Sequence, residues 1–87
     1  MVYLVSYDLN QPGQDYSRII KAIAAQGAYI QVLKSAWLLR SSAQVLQVGD
    51  ALKAHIDASD RLLVSEVTAN HRGWLDQRCV EWLQQHL

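Results

Sequence analysis

Residues 28–41 read Ala-Tyr-Ile-Gln-Val-Leu-Lys-Ser-Ala-Trp-Leu-Leu-Arg-Ser, fourteen positions without glycine or proline. That is long for one strand, whose usual length is about five or six residues. Tyr29, Ile30, Val32 and Leu33 are strand formers, as are Trp37, Leu38 and Leu39. Lys34-Ser35 is the most polar point between them. The pattern therefore predicts two strands meeting in a tight hairpin at Lys34-Ser35, with a single bent strand as the alternative. The choice decides the fold, because it sets how many strands the chain supplies.

Upstream, Met1 to Leu9 alternates. Val2, Leu4, Ser6 and Asp8 fall on one face of a strand, and Tyr3, Val5, Tyr7 and Leu9 on the other. Apolar residues on both faces up to Val5 suit a central strand covered on both sides. Asn10-Gln11-Pro12-Gly13 ends it as a turn. Asp15 or Ser17 can cap the next helix, whose stripe is Ile19, Ile20, Ile23 and Ala24, and Gly27 stands where a left-handed cap is expected.

Downstream, Ser42 reads as the N-cap of a second helix with Val45, Val48, Leu52 and Ile56 on one face. Gly49 shares that face, as if to allow close backbone approach. Arg61 to Thr68 reads as another strand. After the Asn70-His71-Arg72-Gly73 loop, Asp76 caps a last helix with Val80, Leu83 and Leu87 on one face and Trp82 alongside. Trp74 and Trp82, eight apart across the helix start, read as clamps for that helix in preference to a base-stacking platform.

The order is β-α-β-β-α-β-α. This predicts an α+β chain with the ferredoxin-like βαββαβ arrangement and an added C-terminal helix, as one domain over residues 1–87. Two helices cover only one face of such a sheet, yet the strands are apolar on both. Either the last helix folds over the second face or a second copy packs there as an isologous dimer. The short chain has a limited core of its own, which favours the homodimer.

Composition narrows the class of protein. Eight Lys/Arg balance eight Asp/Glu, so bulk charge gives no argument for a nucleic-acid or membrane partner. One cysteine cannot form an internal disulfide, no apolar run reaches the roughly 20 residues of a membrane helix, and Met1 leads straight into a strand pattern. The expectation is a cytoplasmic domain with no membrane contact. His71, Cys79 and His86 match no common zinc spacing, and neither a nucleophile-elbow serine nor a phosphate-cradling glycine motif is present.

Asp8 stands out because it follows an apolar strand and opens a turn. A carboxylate there can bind a hard cation such as Mg²⁺, which takes one or two protein carboxylates and completes its shell with water. In a two-fold dimer, two copies of Asp8 could share one ion. The plainer reading is a turn residue whose side chain bonds backbone N–H groups. Arg18, Lys21, Lys34 and Arg40 outnumber Asp8 and Asp15 before residue 41, which leaves the first half modestly positive.

Val2-Tyr3-Leu4-Val5-Ser6-Tyr7-Asp8 resembles the first strand of the CRISPR-associated small ferredoxin-like nuclease family, dimeric partners of the integrase in spacer acquisition. In that family the strand ends in Tyr-Asp, an Arg-bearing helix follows, and a Gly leads to a Gln-x-Ser-aromatic strand pair. Arg18, Gly27, Gln31, Ser35 and Trp37 occur here in that order, with a different Gln-to-Ser gap and Trp in place of Phe. The resemblance spans about residues 1–40. It implies Asp8 as the catalytic, metal-binding carboxylate and Tyr7, Arg18, Ser35 and Trp37 near the seam between protomers. It also implies Mg²⁺-dependent action on RNA or DNA. The alternative is a non-catalytic protein-interaction module of the same fold, of toxin–antitoxin or phage type.

Overall fold

The computed structural model describes residues 1–9 and 16–87. The Asn10-Gln11-Pro12-Gly13 turn and the Asp15 cap lie outside the described residues. The elements are β1 (Val2–Asp8), α1 (Ser17–Gln26), β2 (Ala28–Leu33), β3 (Ala36–Arg40), α2 (Val45–Lys53), β4 (Arg61–Val67) and α3 (Gln77–His86). The chain is thus α+β, with a ferredoxin-like layout and an added helix. The long apolar stretch does split at Lys34-Ser35. The turn is braced by the Gln31 side-chain amide, which donates to the Lys34 carbonyl at 3.2 Å.

The sheet order is β2-β3-β1-β4, and every neighbouring pair is antiparallel. β1 lies between β3 and β4, as its two apolar faces require. Opposite its first face, Tyr3 pairs with Leu39 and Glu66, and Val5 with Trp37 and Val64. On that face Tyr3, Val5, Tyr7 and Leu39 pack with Ile19 and Ile23 of α1 and with Val48 and Leu52 of α2. The Tyr3 hydroxyl donates to the Ala43 carbonyl at 2.6 Å. Burial pushes its pKa up, and the Glu66 charge adds to the shift.

The helix edges differ from expectation in instructive ways. Ser17 lies inside α1, where Tyr16 occupies the N-cap position. Ala22, not Ala24, completes the buried stripe with Ile19 and Ile23, giving i, i+3, i+4 spacing. The N-cap of α2 is Gln44 instead of Ser42. It forms a reciprocal capping box with Gln47, whose side chain accepts the Gln44 N–H at 2.9 Å. Val48 and Leu52 are buried, whereas Val45 is exposed and Ile56 lies beyond the helix end. A side chain at Gly49 would meet open space, so no close approach depends on it.

The second face has its own core. Cys79 and Leu83 of α3 pack on Val2, Ile30 and Leu38, with Leu4, Val32, Val67, Leu75 and Trp82 around them. In α3 the buried positions are 79 and 83, while Leu87 is exposed. The last helix therefore covers part of the face that α1 and α2 leave bare. Among the described residues no helix is long and apolar enough to cross a membrane.

Gly27 joins α1 to β2 with φ 153° and ψ −160°, which is not the left-handed cap that the sequence predicts. The conformation still needs glycine, and a Cβ there would overlap the carbonyl oxygen of Arg40. Gly27→Ala should therefore cost at least about 1–3 kcal/mol. Urea denaturation checks this, and an unchanged midpoint at equal slope would contradict it.

Candidate functional site

The alternation of β1 places Ser6 and Asp8 on the second sheet face, at the end that α3 does not cover. Ser6 pairs with Leu63 and Asp8 with Arg61 across the ladder to β4. Asp8 is exposed and Leu63 is 63% exposed. A shallow concavity of about 230 Å³ lies between the two strands, lined by Ser6, Tyr7, Asp8, Arg61, Leu62 and Leu63. The Arg61 guanidinium turns back on its own loop, donating to the carbonyls of Ser59 at 3.3 Å and Asp60 at 3.2 Å. Among the described residues no hydrogen bond or ion pair engages the Asp8 carboxylate.

Tyr7 and Trp37 point the other way, into the core beneath α1 and α2. The Trp37 indole N–H donates to the Tyr7 hydroxyl at 3.2 Å, and both residues are buried. The Tyr7 ring packs on Tyr16 at 5.6 Å and the Trp37 ring on Tyr29 at 5.8 Å. Ser35 is half-buried in the hairpin turn, and its carbonyl accepts the Tyr7 amide at 3.1 Å. Arg18 is exposed on the first turn of α1, in the helix layer. The structure thus gathers Tyr7, Ser35 and Trp37 just behind Asp8. They support the end of β1 from the opposite side of the sheet and do not line the Asp8 surface, apart from Tyr7 at the edge of its concavity.

Among the described residues, no three His, Cys, Asp or Glu side chains lie close enough to enclose a metal ion. Cys79 is fully buried in the second core, with its thiol against the Gln31 carbonyl at 3.5 Å. Burial pushes its pKa up.

Trp82 is half-buried and packs against the second core, as a clamp on α3 should, while its ring also lies 4.2 Å from that of His86 one turn on. Trp74 is not a clamp, because it is 84% exposed. The Arg72 guanidinium lies 5.2 Å from its ring centroid. Both residues line a groove of about 1100 Å³ between α3, the segment after β4 and the start of β1. The spacing of the two tryptophans could not reveal this, since periodicity reports packing only inside regular elements. The polar Asn70-His71-Arg72-Gly73 run directly before Trp74 was the available signal.

No family model, curated protein or solved structure matches the chain.

The boundary of the open surface depends on how α3 is anchored. The Asp76 carboxylate accepts the Cys79 amide N–H at 2.9 Å, capping the helix. That bond holds its pKa below the usual carboxylate range, with the Cys79 thiol and the Arg78 charge contributing. A lowered folded-state pKa means that the stabilisation is complete above the ordinary carboxylate value of about 4. It is lost as pH falls through the lower folded value. Acidification below pH about 4 should therefore lower the protection factors of α3 amides, that is, raise their exchange rates relative to the intrinsic rate at each pH. Asp76→Asn, which caps without titrating, should remove that acid step. A step that persists in the Asn variant would refute the assignment.

Proposed function

We propose that two copies of this chain pair through the uncovered half of the second sheet face. In this reading Asp8 is the carboxylate of a divalent-cation site directed at phosphodiester bonds of RNA or DNA. One observation carries the proposal. Among the described residues nothing engages the Asp8 carboxylate beside its concavity, on the same face and at the same end of the sheet as the bare Leu63. The resemblance of residues 2–8 to the first strand of the CRISPR-associated small nucleases supports it independently. Each chain brings one carboxylate to the site, and a two-fold axis at this seam would bring two.

A Mg²⁺ held there would supply an activated water and neutralise charge developing on phosphate. The remaining roles belong to the chain itself. Arg61, in register opposite Asp8, would swing its guanidinium from the Ser59 and Asp60 carbonyls to an anionic phosphate oxygen. The Trp37–Tyr7 hydrogen bond and the Ser35–Tyr7 backbone bond hold the end of β1 in place, and with it the direction of the carboxylate.

A second reading keeps the dimer and removes the chemistry. Among the described residues the concavity is lined by no acid or histidine besides Asp8, so a general base would have to come from outside that lining. The chain would then be a non-catalytic interaction module in which Asp8 ends the strand.

Two measurements separate these readings. Labelled RNA and DNA are incubated with wild type and Asp8→Ala, with Mg²⁺ or Mn²⁺ and then with EDTA. The proposal expects metal-dependent cleavage that falls by about 100-fold or more in Asp8→Ala, the scale on which loss of one electrostatic stabiliser acts. Cleavage surviving in that variant, or absent from both proteins, defeats the nuclease reading. Light scattering should report about twice the 9.8 kDa chain mass for wild type, and the single-chain mass for Leu63→Lys. A wild type that stays at the single-chain mass defeats the shared site.

A further inference from the structure

Trp74 has no structural duty in the fold. It is 84% exposed, on a segment outside any helix or strand. Leaving a large indole in water forfeits the stabilisation its burial would bring. The Arg72 guanidinium covers one ring face at 5.2 Å, and the exposure of the residue leaves the opposite face open. At the intervening Gly73 a side chain would meet nothing within 4 Å, so the backbone between the two residues is also open.

The segment forms one wall of the 1100 Å³ groove, where Arg40 also lies, and among the described lining residues Glu66 is the one side-chain carboxylate. Two guanidiniums against one carboxylate give this groove a positive bias that the neutral chain lacks overall. An open aromatic face beside separated cations matches one kind of polymer. Each unpaired base offers a π-face for the indole, and each phosphate takes a guanidinium. A duplex hides its base faces in its own stack. A second protein copy would have to desolvate two arginines in each groove against the single side-chain carboxylate, Glu66, that each copy brings.

We propose that Trp74, Arg72 and Arg40 form a binding platform for single-stranded nucleic acid, with one base stacked on Trp74 and flanking phosphates on the two arginines. The platform is separate from the Asp8 surface. It rests on the reading above only in sharing a class of substrate, and it operates without metal or cleavage.

The test uses a short fluorescein-labelled oligouridylate and a duplex of the same length, followed by anisotropy in EDTA. Wild type should bind the single strand in preference to the duplex. Trp74→Leu should weaken single-strand binding about tenfold, within the range of one lost stacking contact. Since Trp74 is exposed, that variant keeps its core. Arg72→Ala should lower the slope of log affinity against log salt by about 0.7, the share of one phosphate contact on a single strand. Binding is read in EDTA, where no metal-dependent cleavage occurs, so a chain inert as a nuclease still tests the platform. Absence of binding, equal affinity for duplex, or an unaffected Trp74→Leu would each overturn it. So would loss of dimer in Trp74→Leu without oligonucleotide binding by wild type, which would assign the groove to a second copy.

Discussion

A sheet whose central strand is apolar on both faces must be covered twice. Every feature of this chain follows from how it meets that demand. β1 places Tyr3 and Val5 under the helix pair and Val2 and Leu4 under α3. The first cover is wide, because two helices span it. The second is a single ten-residue helix, too short to reach the whole sheet. What remains is a strip along β1 and β4 bearing Leu63, Ser6, Arg61 and Asp8. The candidate site is therefore a remainder of the packing problem, an apolar step with a carboxylate beside it.

Much of this architecture was legible because it rests on contrasts that survive in one dimension. The hairpin at Lys34-Ser35 is marked by two polar residues between runs of strand formers. The alternation of residues 2–8 separates two faces that the structure then fills with different partners. Asp76 announced α3 because a carboxylate before a helical pattern satisfies free amides better than almost any other residue. The errors fall where the contrast is weak. The cap of α2 is a pair of glutamines, Gln44 and Gln47, whose reach and flexibility carry no strong local signature, so the nearby Ser42 drew attention instead. Ala22 and Ala24 are chemically identical, and only the final pitch of α1 decides which is buried.

The site residues divide by the same logic. Asp8 was readable as an exposed end-of-strand carboxylate. The family resemblance implies Tyr7 and Trp37 beside it, but strand alternation turns them to the opposite face. Their buried hydrogen bond gives them an indirect role, since it fixes the backbone on which Asp8 is mounted. Trp74 eluded the sequence reading for a different reason. Exposure of a large aromatic is a decision of the tertiary fold, and a pattern-based reading credits every tryptophan with burial.

The two covers also differ in depth. Among the described residues, eleven buried side chains knit the helix-pair side together, against five beneath α3. Free energies of local opening scale with such buried contacts, so a molecule built this way comes apart in tiers. The α3 layer is the upper tier, able to lift while the sheet and its helix pair stay intact. Each excursion would join the bare strip at Leu63 to the freshly uncovered Leu38 and Val2, making one long apolar surface for an instant. The shorter cover thus acts as a latch, and its strength sets how often the hidden half of the sheet is on display.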